Sequence, residues 1–213
     1  MIYNIGCKFH SIFFEVHMRY IIIILSVILF QSLKASELAI DNHLSKVIWR
    51  ANKSTGSFHN GFIELADGHI TIENNKVING SIIIDMNSIS CYDILNEQSN
   101  QSLVSHLKSD DFFSVEAFPK ATLNLLEVIK LNNDATSNHL IKGNLEILNV
   151  THPVEFLASI NMYSNGAKAE GVIPIDRAKY GVKYKSKTWY ENLGDHFIDD
   201  IFYIYFHVIA LDN

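Results

Sequence analysis

The residues able to do chemistry are sparse and scattered. Beyond residue 35 the chain carries eight histidines, at 43, 59, 69, 106, 139, 152, 196 and 207, and one cysteine, Cys91. No two histidines form an HxH or HExxH pair, and the cysteine count excludes a thiolate zinc site. His106 and Asp110 are four apart, with Asp111 adjacent. That spacing could ligate a metal, but the two aspartates read better as capping or solvating a helix end. No GxSxG elbow, Walker loop or GxGxxG fingerprint is present. Taken alone, these residues support no enzyme.

Three stretches stand out. His106 to Pro119, HLKSDDFFSVEAFP, mixes acidic residues with Phe112, Phe113 and Phe118. Ile175 to Lys185, IDRAKYGVKYK, places Asp176 beside Arg177. Neighbours in a strand point to opposite faces, so one of these two should face inward. An inward charge among apolar side chains needs a partner or a polar ligand head. The third stretch is Ser57 to Phe62, SFHNGF.

The elements that must position these residues read as strands. Val47, Trp49 and Ala51 alternate with Ile48, Arg50 and Asn52. Further strands are expected at 69–73, after an Asp67-Gly68 turn signal, and at 77–86, 121–129, 139–148, 154–162, 167–175 and 201–211. Asn, Asp, Gly and Ser clusters separate them. Short strands at this spacing indicate an antiparallel barrel or sandwich. Asn144 and Glu146 alternate with Leu145 and Ile147, one polar face and one apolar. The last strand, IFYIYFHVIA, is apolar on both faces. It is expected to pack under the chain's own helix, with a second subunit as the other cover. That helix is expected near Gln101 to Lys108, where Leu103, His106 and Leu107 share a face and Asn100 or Ser99 caps the start. It should pack on the barrel or plug one end.

Composition asks where the apolar residues go. The 213 residues are 48% hydrophobic and 19% charged, with a formal charge of −6. A soluble chain usually has about a quarter charged. Part of the excess is Tyr20 to Phe30, YIIIILSVILF, too short to span a bilayer but the length of a signal-peptide core. Arg19 precedes it, Ala35 offers a cleavage residue, and Met18 is the expected true start. The domains are thus a leader, 1–35, and a barrel, 36–213. No Cys follows the apolar run, which argues against a lipoprotein. Residues 1–35 hold Lys8, Arg19, Lys34 and Glu15, so removing them leaves 14 basic and 22 acidic side chains, a charge of −8. An acidic surface disfavours nucleic acid and anionic membranes. With Cys91 alone, no internal disulfide forms.

Six phrases in order resemble the YceI-like family of secreted bacterial proteins: His59-Asn60-Gly61; GSIIIDMNS at 80–88; HLKSDDFF at 106–113; GNLEILNVTHPV at 143–154; IDRAKYG at 175–181; and LGDHF at 193–197. The resemblance covers roughly Lys46 to Leu211. Glu146 and Asn149 depart from the usual Thr and Gly, which questions one hairpin's geometry. The resemblance implies an all-β fold, an elongated eight-stranded antiparallel lipocalin-like barrel with one short helix. It implies a periplasmic or secreted, often dimeric, non-enzymatic protein with no cofactor, binding a polyisoprenoid or isoprenoid-quinone-type amphiphile in the lumen. Candidates for the tail cavity are Trp49, Phe62, Ile83, Phe112, Phe113, Phe156 and Phe206. Candidates for the head group are His59, Asp176, Arg177 and Tyr180, with Arg177 first because a guanidinium suits an anionic or phenolic oxygen. The competing readings are a barrel with a filled core and a lipid-modifying enzyme.

Overall fold

The computed structural model describes residues 35–132, 136–194 and 196–212. The start site and the leader's apolar run lie outside the described residues. Nine strands form one antiparallel sheet: β1 (Ser36–Ile40), β2 (Lys46–Lys53), β3 (Phe58–Glu73), β4 (Lys76–Asp85), β5 (Lys120–Lys130), β6 (His139–Ile147), β7 (Val150–Tyr163), β8 (Gly166–Asp176) and β9 (Ile198–Leu211). Neighbours run β3-β2-β9-β8-β7-β6-β5-β4, and β4 pairs back with β3. The sheet therefore closes, and closure removes the exposed edges that an open sheet would carry.

The ninth strand does not enlarge the barrel. β1 pairs with β3 at Leu38↔Ile70 and with β9 at Ile40↔Ala210. β2 pairs with the same two strands further along. Hence β1 and β2 occupy one slot, broken where the Asp41 carboxylate accepts from the amides of His43 and Leu44. Eight positions around the barrel remain, as the family resemblance implied.

Two local expectations are corrected. Asp67-Gly68 is not a turn: β3 runs through it, with a register shift between Leu65 and Asp67. A Cβ on Gly68 would stand 2.8 Å from Ile40 Cγ1, so the glycine lets β1 pack close. The helix α1 spans Glu97–Lys108, a turn longer than expected, and its N-cap is Asn96, whose Oδ1 accepts from the Ser99 amide. Asn100 is instead spent on the carbonyls of Cys91 and Ile94. The hairpin with Asn149 closes in two residues, Leu148 and Asn149, at φ 55° and 58°. Asn tolerates that region well, so its replacement of glycine keeps the turn.

The alternation expected along the strands holds. Leu145 and Ile147 are buried while Glu146 is exposed. For β9, Phe202, Ile204 and Phe206 face the lumen, but Ile201 and Tyr205 on the other face are 38% and 40% exposed. The chain's own helix does not cover that face. Instead α1 and the following segment close one end of the barrel, bringing Leu107, Phe112 and Phe113 into the lumen wall.

Candidate functional site

The lumen follows from strand periodicity. Inward side chains from all eight positions are almost all Val, Ile, Leu, Ala and Phe, with Trp49 on β2 and Asp199 on β9, and they leave two chambers. The first, about 110 Å³, is lined only by apolar residues, including Ile70, Val77, Phe156 and Phe206. The second, about 140 Å³, lies toward α1 and is lined by Trp49, Leu107, Phe112, Phe113 and others. Val47, Ile84, Leu123, Ile173 and Ile204 border both, so these five form a waist between them. Phe156 and Phe206 meet edge-to-face at 5.7 Å, while Phe112 lies among Phe113, His106 and Tyr184.

Five of the seven tail candidates thus line the chambers: Trp49, Phe112, Phe113, Phe156 and Phe206. Phe62 and Ile83 line neither. Phe62 is 36% exposed, with Tyr92 4.8 Å away and the Lys46 ammonium over its ring. Ile83 sits between Ile82 and Ile84, both of which line the cavity, so period-two alternation turns it outward. The residues missed by picking aromatics were aliphatic. The same alternation, applied strand by strand, would have found Val47, Ile84 and Leu123.

The head-group candidates do not converge. Arg177 borders the second chamber and is 4% exposed. Its Nε donates to Asp199 O, Nη1 to Tyr184 O and Val182 O, and Nη2 to Ile198 O, with Asp200 Oδ1 at 3.3 Å from Nη2. Four hydrogen bonds thus go to backbone carbonyls, and the Asp200 carboxylate adds an ion pair beside Nη2. Burial pushes the guanidinium pKa down, and Asp200, Asp176 and Asp199 oppose the shift. Arg177 is the inward member of the Asp-Arg pair, and its partner is the chain itself: it staples the segment after β8 to the start of β9. Asp176 caps the 3-10 turn Arg177–Tyr180 by accepting from the Ala178 amide. Tyr180 is buried edge-on to His152, 5.2 Å away, and desolvation pushes its phenol up to about 12.

His59 stands apart on β3, opposite Ala51 of β2, and lines neither chamber. Its Nδ1 is 2.9 Å from Asp93 Oδ2. Asp93 Oδ1 accepts from the Asn60 amide at 2.8 Å and from Cys91 Sγ at 3.2 Å. Burial pushes the Asp93 carboxyl up, but these hydrogen bonds outweigh it and hold it below its ordinary value. Burial and the bond to Asp93 push the Cys91 thiol up. His106 and Asp110, the disfavoured metal-ligand spacing, do not meet. His106 Nε2 meets Asp111, and Asp110 takes the Ser114 hydroxyl.

A closed antiparallel barrel around an apolar lumen, with only Arg177 and Asp199 bringing charge to the chamber walls, defines the lipocalin-like class. The YceI-like domain model matches residues 38–210, and the chain belongs to that family of binding proteins. Its fold is similar to that of BcnA from Burkholderia cenocepacia, with TM-score 0.63 at 18% identity over 80% of this chain and 99% of that one. A polyisoprenoid binding domain from Saccharophagus degradans gives TM-score 0.59 at 14% identity, over 84% of this chain and 100% of that one. No curated protein matches the chain.

Proposed function

We propose that this protein is a non-catalytic binder or carrier of a long apolar amphiphile of the polyisoprenoid class, held in the lumen and working in the periplasm or after secretion. The observation that carries the reading is the pair of adjacent chambers whose walls are aliphatic and aromatic but for Arg177 and Asp199 in the second. A filled core would leave no such space. The polyisoprenoid binding domain that shares the fold supports the ligand class, and the leader read between Met18 and Ala35 supports the location. A second copy of the chain is the proposed cover for the outer face, where Phe62, Ile48, Tyr205 and Val172 stand in one row across four strands.

A polyisoprenoid tail has no hydrogen-bonding group, so its affinity comes from burial. At about 0.8 kcal/mol per CH₂, one five-carbon unit contributes roughly 3–4 kcal/mol. Ordering the tail offsets part of this. Organic extraction of the purified protein, followed by mass spectrometry, is expected to yield a long-chain lipid. Ala169 lines the first chamber, so Ala169→Phe is expected to fill it and cut lipid recovery several-fold. Clean extracts from repeated native-host preparations, or equal recovery from the variant, would sink the reading.

A further inference from the structure

Beyond the residues that line the two chambers, one cluster of chemically able side chains stands together. His59 Nδ1, Cys91 Sγ and an Asp93 carboxylate oxygen all lie within 4.8 Å of one another. We propose that these three side chains form a binding site for a borderline-soft divalent metal of the zinc class, with water as the fourth ligand.

The donor set selects the metal. Thiolate, imidazole and carboxylate together suit zinc, whereas calcium and magnesium take oxygen donors. Bond lengths of about 2.0–2.3 Å around a tetrahedral zinc put its donors about 3.3–3.8 Å apart. His59 Nδ1 lies 2.9 Å from Asp93 Oδ2 and Cys91 Sγ 3.2 Å from Asp93 Oδ1, so the carboxylate already touches both partners, one oxygen to each. With all three donors within 4.8 Å of one another, gathering them on one ion takes shifts of about 1 Å, which side-chain rotations supply. Binding replaces the Cys91 S–H bond with a sulfur–metal bond and releases that proton to solvent. Asp93 then keeps the Asn60 amide as an orienting donor.

The frame is fixed before any metal arrives. Ser90 and Tyr92 amides donate to Phe62 O and Asn60 O on β3. Trp49 Nε1 donates to Ser90 O, and Asn100 holds the Cys91 carbonyl. Access comes from the other side: the His59 and Asp93 side chains are 23% and 22% exposed, while Cys91 is buried. A nucleophilic role does not fit, because Asp93 sits between Cys91 and His59 and the imidazole has no bond to the thiol. The cysteine count, which argued against a zinc site, excludes only sites with several thiolates.

The test uses the full chain and metal alone. Cobalt(II) is expected to give a sulfur-to-metal charge-transfer absorption that Cys91→Ser abolishes. Zinc is expected to slow alkylation of Cys91 by at least about tenfold, read by peptide mass spectrometry so that Cys7 is counted separately. His59→Ala and Asp93→Asn are each expected to weaken zinc binding at least about tenfold. No charge-transfer band, or unchanged alkylation of the native chain under zinc, would overturn the proposal. So would equal zinc affinity of native chain and Cys91→Ser. The alkylation experiment needs no variant, so a misfolded mutant does not shelter the idea.

Discussion

Two buried polar residues near the end of β8 have opposite consequences for pH and stability. Arg177 donates four hydrogen bonds to backbone carbonyls and pairs with Asp200. Removing one partner of a buried ionic network strands the others, at about 3–5 kcal/mol. Arg177→Met is therefore expected to lower the urea-unfolding free energy by that order and to loosen the segment before β9, read by proteolysis. Tyr180 tests the other sign. Its folded-state pKa is raised from 10.0 to about 12 by desolvation and by Asp176. Its contribution is thus intact below pH 10 and is lost as pH rises from 10 toward about 12, where only the unfolded phenol ionises readily. The native chain should lose up to about 2–3 kcal/mol more than Tyr180→Phe across that window. Parallel pH–stability curves for the two would contradict the assignment.

At the scale of elements, the crossing of the 88–94 segment over β3 depends on one glycine. A Cβ on Gly61 would lie 1.6 Å from Ser90 O and 2.4 Å from Trp49 Nε1. Those two atoms share a hydrogen bond of 3.0 Å. The side-chain-free residue in His59-Asn60-Gly61 thus lets the indole of β2 reach over β3 to the segment beyond. Gly61→Ala is expected to break that bond and cost more than about 2 kcal/mol, by the mechanism of overpacking plus a lost buried bond. A thermal midpoint within 2 °C of the native chain would refute this. The helix start was misplaced for a related reason. Asn96 and Asn100 have equal capping chemistry, and only the position of the Cys91 and Ile94 carbonyls decides which one caps.

For the whole molecule, the waist between the chambers is what the proposed ligand would have to pass. A dry apolar cavity of about 150 Å³ accepts benzene, so each chamber, about 110 and 140 Å³, matches about one five-carbon unit. A longer tail must pass Val47, Ile84, Leu123, Ile173 and Ile204. Leu123→Ala is expected to join the chambers, lowering stability by about 2–5 kcal/mol. The same change should shift the extracted lipids toward longer or more abundant chains. An unchanged lipid profile in a folded variant would show that the waist is no barrier.

Most strands and their alternation were legible in residues such as Val47, Trp49 and Ala51, because period-two burial is written locally in the chain; closure into a barrel rather than a sandwich was implied only by the family resemblance, and β1 and the first half of β3 were not legible. The class of the lumen was legible as well, since the inward positions hold almost no polar side chain. The tertiary structure alone decided which aromatics line it. Phe62 and Phe156 look alike in sequence, but register sends one to solvent and the other to the first chamber. It alone decided that Arg177 is spent on the chain itself, because its four carbonyl acceptors and its ion-pair partner Asp200 come from residues five to twenty-three positions away. It also brought His59 to Cys91 and Asp93, more than thirty residues along the chain. Sequence spacing records covalent neighbours; a closed barrel chooses its neighbours by pairing and by crossing, and the candidate sites lie at those meetings.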